Sequence, residues 1–285
     1  MHLFNYLDSE IYCHHSVDIE PNPNNFYMHV HQHMELFYLI SGDVEYIVEG
    51  TFYKLSPGTI ILIRAGEAHM PVVHAGTPYE RISIQFAAHL LKSVDPDGHL
   101  IRPLLERSLG QQNLYPTPGH PNDFFMAYFS HFDRPGYDSQ KRVHILSILL
   151  MVLDEISYQF GQVDDREKYP DAGGISMQLI NSINEDLFED ISLSSISRKF
   201  FLSESQVNRV FKKATGSSVW EYIRIKRLLA AREKILAGES PSAACFSCGF
   251  QDYSAFYRAY KAHFGVSPSK TNPILDNISV IDPDF

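Results

Sequence analysis

The sequence predicts an α+β chain of two domains: an antiparallel β-barrel followed by helices, then an all-α domain with two helix-turn-helix units. Three observations predict it. Up to Phe86, short runs rich in Val, Ile, Tyr and Phe alternate with turn residues. A pattern that begins at Leu202 returns 49 residues later. Charge is also divided along the chain. The net charge of −10 over 285 residues would, taken alone, argue against a nucleic-acid partner. Yet residues 175–272 hold 13 Lys+Arg against 9 Asp+Glu, and the acidic surplus lies on either side of them. Of the 14 histidines, 13 precede residue 175. Opposite halves of this kind suggest separate jobs.

Composition narrows the class. With 44% hydrophobic and 20% charged residues the chain is globular, which excludes disorder, collagen and fibrous coiled coils. No apolar run approaches the ~20 residues of a membrane span, and Met1–Glu10 has neither the basic start nor the apolar core of a secretory signal. Three cysteines cannot build a disulfide framework and fit a reducing compartment, so a cytoplasmic protein without a membrane partner is expected.

The barrel is read between Phe26 and Phe86. Its turns are Ser41-Gly42-Asp43, Glu49-Gly50, Ser56-Pro57-Gly58 and Ala65-Gly66-Glu67, and Thr59–Ile63 is a strand-length apolar run. Within it lies His29-Val-His31-Gln-His33-Met-Glu35. In a strand, alternate side chains share a face, so His29, His31, His33 and Glu35 would project together into the barrel. The order H-x-H-x-x-x-E followed by Gly42 resembles the first motif of the cupin superfamily. Gly58, Gly66 and His69 match its second motif in spacing, with Arg64 and Val73 where that motif has Pro and Asn. The resemblance implies a divalent transition metal held by His29, His31, Glu35 and His69, three imidazoles and a carboxylate suiting such an ion. The other reading of the same face is a polar pocket for a small effector, lined by His29, His31, His33, Glu35, Phe37 and His69 and edged by Tyr27 and Tyr38. His74, His89, His99, His120 and His131 read as ordinary surface or core residues.

Residues 90–163 read as helical. Leu100–Leu109 and Asn122–Phe132 have helix-like spacing, with Pro116, Pro118 and Pro121 between them. Ser139–Phe160 is the strongest segment, with a stripe of Val143, Leu146, Leu150, Leu153 and Ile156 widened by Ile145, Ile148, Leu149 and Met151. It either packs on the barrel or forms a dimer interface. The domains are therefore 1–163, a linker at 164–174, a helical domain at 175–272 and an acidic tail at 273–285.

In the helical domain, Leu202–Gly216 aligns with Gln251–Gly265. Ser203 and Asp252 are helix N-caps, Gln206 completes a capping box, and Gly216 and Gly265 stop the helices. Val207, Val210, Phe211 and Ala214 form one buried stripe. Phe256, Ala259, Tyr260 and His263 form the other. A short helix precedes each, one capped by Ser192 and one by Ser240 with Pro241 in its first turn. The helix Ser218–Ala237 joins the two units. Opposite the stripes lie Ser205, Gln206, Asn208, Arg209 and Lys212 in the first unit. Tyr253, Ser254, Tyr257, Arg258 and Lys261 hold the corresponding face of the second. The second helix of such a unit enters the major groove, where Arg reads guanine and Asn or Gln reads adenine. Lys212, Lys213, Arg224, Lys226 and Arg227 are expected on phosphates.

These stretches, with Trp220–Arg227 and Cys248–Pro268, resemble the DNA-binding domain of AraC/XylS-type transcriptional regulators over about a third of the chain. The resemblance implies two recognition helices in successive major grooves of promoter DNA and an N-terminal cupin-like domain that binds a small effector and dimerises. It also implies contact with RNA polymerase if the protein activates. A sugar or sugar derivative is the effector expected, and no enzymatic activity. The rival expectation is a metal-dependent cupin enzyme fused to a DNA-binding domain. Two departures stand out. Thr271-Asn272 replace a Tyr-Arg ending usual in the family, and Cys245 and Cys248 have C-x-x-C spacing without the second pair a zinc site needs.

Overall fold

The computed structural model describes residues 2–26, 28–31, 33–92, 94–115, 129, 140–162, 175–215 and 217–271. The chain divides into two compact units between Asp171 and Ala172, with Val30–Gln32 grouped with the second. The expected linker 164–174, the tail 273–285, Tyr27, Gly216, His120, His131 and most of the helix expected over 122–132 lie outside the described residues.

The N-terminal unit has strands β1 (His2–Leu7), β2 (Ile11–Asp18), β3 (Met34–Ser41), β4 (Val44–Val48), β5 (Thr51–Lys54), β6 (Ile60–Ile63), β7 (His69–Val73), β8 (Tyr79–Phe86) and β9 (Leu114–Tyr115). Six form one sheet in the order β1-β2-β8-β3-β6-β9, and three form the other in the order β5-β4-β7. Every strand pair is antiparallel. The four turns expected from sequence connect β3 to β4, β4 to β5, β5 to β6 and β6 to β7, and Gly42, Gly50, Gly58 and Gly66 all have positive φ.

Strand alternation divides the core in two. Phe37, Leu39, Tyr46, Ile61, Ile63, Val73 and Tyr79 pack between the sheets. Met34, Leu36, Tyr38, Ile60, Leu62, Ile82, Ile84 and Phe86 face the other way and meet the helices. Tyr38 therefore lies on the outer layer beside Phe129, 4.7 Å between ring centroids, and not at the edge of the polar pocket.

Among the described residues, one α-helix lies between β8 and β9 and another follows β9. The helix expected over Leu100–Leu109 is shorter, α1 (Arg102–Leu105), because the chain after it turns to place Arg107 in the core. The strong segment forms α2 (Lys141–Gln162). Its buried face is Ile145, Ile148, Leu149, Val152, Leu153, Ile156 and Phe160. The stripe chosen from sequence was thus rotated: Val143 is 61% exposed and Leu146 and Leu150 are half-buried. By length and mean hydropathy alone α2 is long and apolar enough to cross a membrane, although charged residues interrupt its apolar run. Its buried residues belong to the domain's own core.

The C-terminal unit has α3 (Ile175–Glu185), α4 (Leu193–Phe200), α5 (Glu204–Thr215), α6 (Val219–Leu236), α7 (Pro241–Ser247) and α8 (Tyr253–Phe264). Helix α3 was not read from the sequence. It buries Leu179, Ile180 and Ile183, and its Asn184 accepts a hydrogen bond from the Tyr222 hydroxyl of α6, 3.0 Å long. The predicted caps are present. Ser192, Ser240 and Asp252 accept from backbone N–H groups three residues on, and so does Ser218, a cap not read from the sequence. Gln206 and Ser203 form the reciprocal capping box, at 2.8 and 3.2 Å. Helix α6 joins the two units from both sides. Phe211 of α5 meets Tyr222 edge-on at 5.2 Å, and Arg232 lies 5.0 Å over the Phe264 ring of α8.

Candidate functional site

Two faces of the C-terminal unit carry the sequence-predicted DNA residues. Capping fixes where α5 and α8 begin, and burial fixes how they are rotated. Val207, Phe211 and Ala214 are buried on α5, as are Phe256, Tyr260 and Phe264 on α8. Ser205, Gln206, Arg209 and Lys212 are therefore exposed on α5, and Asn208 is half-exposed. On α8, Ser254, Tyr257, Arg258 and Lys261 are exposed and Tyr253 is half-exposed, its ring 5.8 Å from that of Phe256. Arg209, Lys212, Arg258 and Lys261 make no ion pair among the described residues. Gln206 has one end committed, since its carbonyl oxygen accepts the Ser203 N–H.

The expectation that Arg224, Lys226 and Arg227 neutralise phosphates needs correction for two of the three. The Arg227 guanidinium donates to three backbone carbonyls, those of Leu187, Gly249 and Glu189, each at 2.7 Å. It ties α6 to the chain before α4 and to the turn after α7. Lys226 is buried, its Nζ 5.4 Å from the Tyr222 ring centroid. Arg224 is exposed and pairs with Glu221 at 2.6 Å. Cys245 and Cys248 are buried and free, and burial raises both thiol pKa values, that of Cys245 to about 11, so neither is a poised thiolate.

In the barrel, ligand atoms of His29, His31, Glu35 and His69 lie within 4.8 Å of one another, with His29 half-buried and the rest buried. His29, Val30, His31 and His33 do not continue β3 as expected. His29 instead forms an isolated bridge to His69, with backbone hydrogen bonds of 3.0 and 3.1 Å and ring centroids 4.2 Å apart. His33 sits in a bend, half-buried, outside this group. Phe37 packs at 4.9 Å on Tyr46, whose ring stacks 6.3 Å from that of His69. Burial, then the nearby Glu35 carboxylate, raises the Tyr46 hydroxyl pKa well above its ordinary value.

The donor chemistry suits a cation. His69 Nδ1 lies 2.7 Å from the Glu67 carbonyl oxygen, which only accepts, so Nδ1 carries a proton. Nε2, the other ring nitrogen, lies 3.3 Å from Glu35 Oε2. An imidazole nitrogen and a carboxylate oxygen so close together, with the ring nitrogens of His29 and His31 within 4.8 Å, form a donor set that would suit a metal ion. Ser83 Oγ donates to the other Glu35 oxygen at 2.8 Å, the usual support for a carboxylate ligand.

Comparison with known proteins covers both units. A family described as "Helix-turn-helix domain" matches residues 196–272, and one described as "Cupin domain" matches residues 15–84. The "Probable transcriptional regulator LumQ" of Photobacterium leiognathi is 34% identical over 98 residues, 34% of this chain and 40% of that protein. The chain thus spans two fifths of that relative's length. The "HTH-type transcriptional activator RhaS" of Citrobacter koseri is 23% identical over 268 residues, covering 88% of this chain and 90% of that one. The solved structure of ToxT from Vibrio cholerae aligns with 91% of this chain and 97% of its own at 14% identity, with a TM-score of 0.40. Each unit is thus similar to a known domain family, the barrel to cupin domains over residues 15–84 and the helical unit to helix-turn-helix domains over residues 196–272.

Proposed function

We propose that the protein is a sequence-specific DNA-binding transcription regulator whose N-terminal unit senses a small molecule. The observation that carries this is the repeated face of α5 and α8. Two helices capped alike and buried alike hold Ser205, Arg209 and Lys212, and Ser254, Arg258 and Lys261, toward solvent at one constant offset. In this reading Arg209 and Arg258 read base edges, and Lys212 and Lys261 contact phosphates. A mobility-shift selection on promoter fragments tests it. The expected outcome is a preferred sequence with two half-sites, and Arg209→Ala should relax preference in one half at a cost of about 1–3 kcal/mol. Equal binding to all fragments would refute the regulator reading.

The effector site of this proposal is the group His29, His31, Glu35 and His69 with Phe37 beside it. A divalent transition ion there would act as an electrostatic anchor for an oxygen-rich ligand such as a sugar derivative. The carboxylate, imidazoles and Ser83 are hydrogen-bonding groups of the kind a polyhydroxy ligand needs. The cytoplasm as location, RNA polymerase as a further partner and a homodimer belong to the same proposal. Exposed Val143, Met151 and Tyr158, spaced eight and seven residues apart on α2, support a second copy as the dimer partner. A specific observation also favours the enzyme reading, the clustering of four ligand-type side chains. Metal analysis of the purified protein with His29→Ala as control separates the possibilities. Stoichiometric metal lost in the variant supports the metal site, and metal-dependent turnover of a ligand would favour the enzyme.

A further inference from the structure

The turn between β6 and β7 carries the hold on His69. The His69 ring is oriented by its Nδ1 bond to the Glu67 carbonyl. Glu67 closes that turn, its own N–H donating to the Arg64 carbonyl at 3.0 Å. Its carboxylate is fully buried and receives five hydrogen bonds. Arg107 Nη1 and the Gly110 N–H reach Oε1 at 2.6 and 2.9 Å. Arg107 Nη2, the Arg64 N–H and Asn113 Nδ2 reach Oε2 at 2.7, 2.9 and 3.1 Å. Arg107 is itself anchored to α1 through a 2.8 Å bond from Nε to the Pro103 carbonyl. A second buried carboxylate, Glu49, accepts the Ala68 N–H at 2.8 Å. Gly110 seats the loop against this second anchor, since a Cβ there would lie 2.6 Å from the Val48 carbonyl oxygen.

Both residues before His69 are thus pinned by buried carboxylates, and the pin on Glu67 comes from a loop outside the matched barrel segment 15–84. A buried ion pair is a weak source of stability, because well-packed apolar residues of like volume often do as well. What apolar residues cannot reproduce is the bidentate geometry that holds one turn in one place.

We propose that Arg107, acting through Glu67, is a positioning residue for the barrel site: it fixes the turn whose carbonyl holds His69 as the Nδ1–H form and so aims Nε2 at the ligand position. This rests on the reading of the barrel as a binding site. Arg107 touches no ligand group itself. Orienting partners of this kind typically change metal affinity 10–100-fold when removed.

The test uses the full chain labelled with ¹⁵N-histidine, free of metal. Two-bond ¹⁵N–¹H spectra report each ring's tautomer, and the His69 signals are identified by their loss in His69→Gln. The wild type should show one ring form with Nδ1 protonated and that proton slow to exchange. Arg107→Met alone strands a buried carboxylate, so the informative variant is Arg107→Met/Glu67→Met, which removes both charges and keeps the residue-67 carbonyl. It should unfold cooperatively, show mixed His69 tautomers, and bind Zn(II) 10–100-fold more weakly by calorimetry. If it does not fold, Arg107→Lys carries the same comparison, with a smaller loss expected. A folded variant with the wild-type tautomer and wild-type Zn(II) affinity overturns the proposal and leaves the metal reading standing. A tautomer change with no Zn(II) binding by either protein supports the positioning role and removes the metal.

Discussion

Single residues set the limits on the helical unit. Gly249, with φ of +80°, follows α7 where the chain must turn toward α8. A Cβ there would lie 2.7 Å from the Phe188 carbonyl oxygen and 2.8 Å from the Arg227 guanidinium carbon. Gly249→Ala should therefore cost more than about 2 kcal/mol, the left-handed conformation alone accounting for about 1–2. Urea unfolding checks this, with a lower midpoint and an unchanged slope as the expected result. Arg227 shows what sequence reading missed at this scale. It sits among basic residues at the end of the WEYIRIKR stretch and looked like a phosphate contact. Its chemistry as a five-donor fork was legible, but the three carbonyls it serves come from segments 22 to 40 residues away.

At the scale of elements, helix ends were readable and helix faces were less so. Ser192, Ser203, Ser240 and Asp252 act on N–H groups within three residues, so spacing alone identifies them. The face of α2 could not be assigned the same way, because it is apolar nearly all round and only the sheet it packs on selects Ile145, Leu149, Val152 and Ile156. The start of α2 is fixed by an ion network. Arg142 pairs with Asp8 and, at 2.6 Å, with Glu10, while the Tyr6 hydroxyl donates to Asp8 at 2.7 Å. Burial pushes the Asp8 pKa up, but the Tyr6 hydroxyl, two backbone N–H groups and Arg142 together bring it below its ordinary value. Glu10 is lowered by His89 and Arg142 against a smaller effect of burial. Groups with depressed folded pKa values contribute stability above their unfolded pKa, about 4, and lose it as pH falls through the folded values. The melting temperature should accordingly fall as pH drops from 5 toward 2. Arg142→Met should melt lower than wild type at pH 7, and the gap should close in acid.

The whole molecule divides its charge as it divides its structure. The exposed cations of α5 and α8, Arg209, Lys212, Lys213, Arg258 and Lys261, are few, and the chain as a whole is acidic. Affinity for DNA should then depend on salt with a log–log slope of about −3 to −5, and Lys212→Gln should reduce it by about 1. Titrations across salt concentrations check this. A slope near −10 would mean a much larger basic surface than these helices present.

The sequence by itself determined the two-part architecture, the barrel turns, the paired capped helices and the four residues, His29, His31, Glu35 and His69, that cluster in the barrel. Each of these depends on side chains acting on backbone or neighbours a few residues away, where the period of a strand or helix dictates geometry. Tertiary structure alone decided that His29 reaches His69 through a bridge and not along a strand, that His33 falls outside the group, and that Tyr38 faces the helices. It also decided which face of α2 is buried and that Arg107 closes on Glu67 across 40 residues. The physical reason is common to all of them: such contacts are set by the register in which distant strands and loops meet, and a shift of one residue reverses the face that every side chain presents.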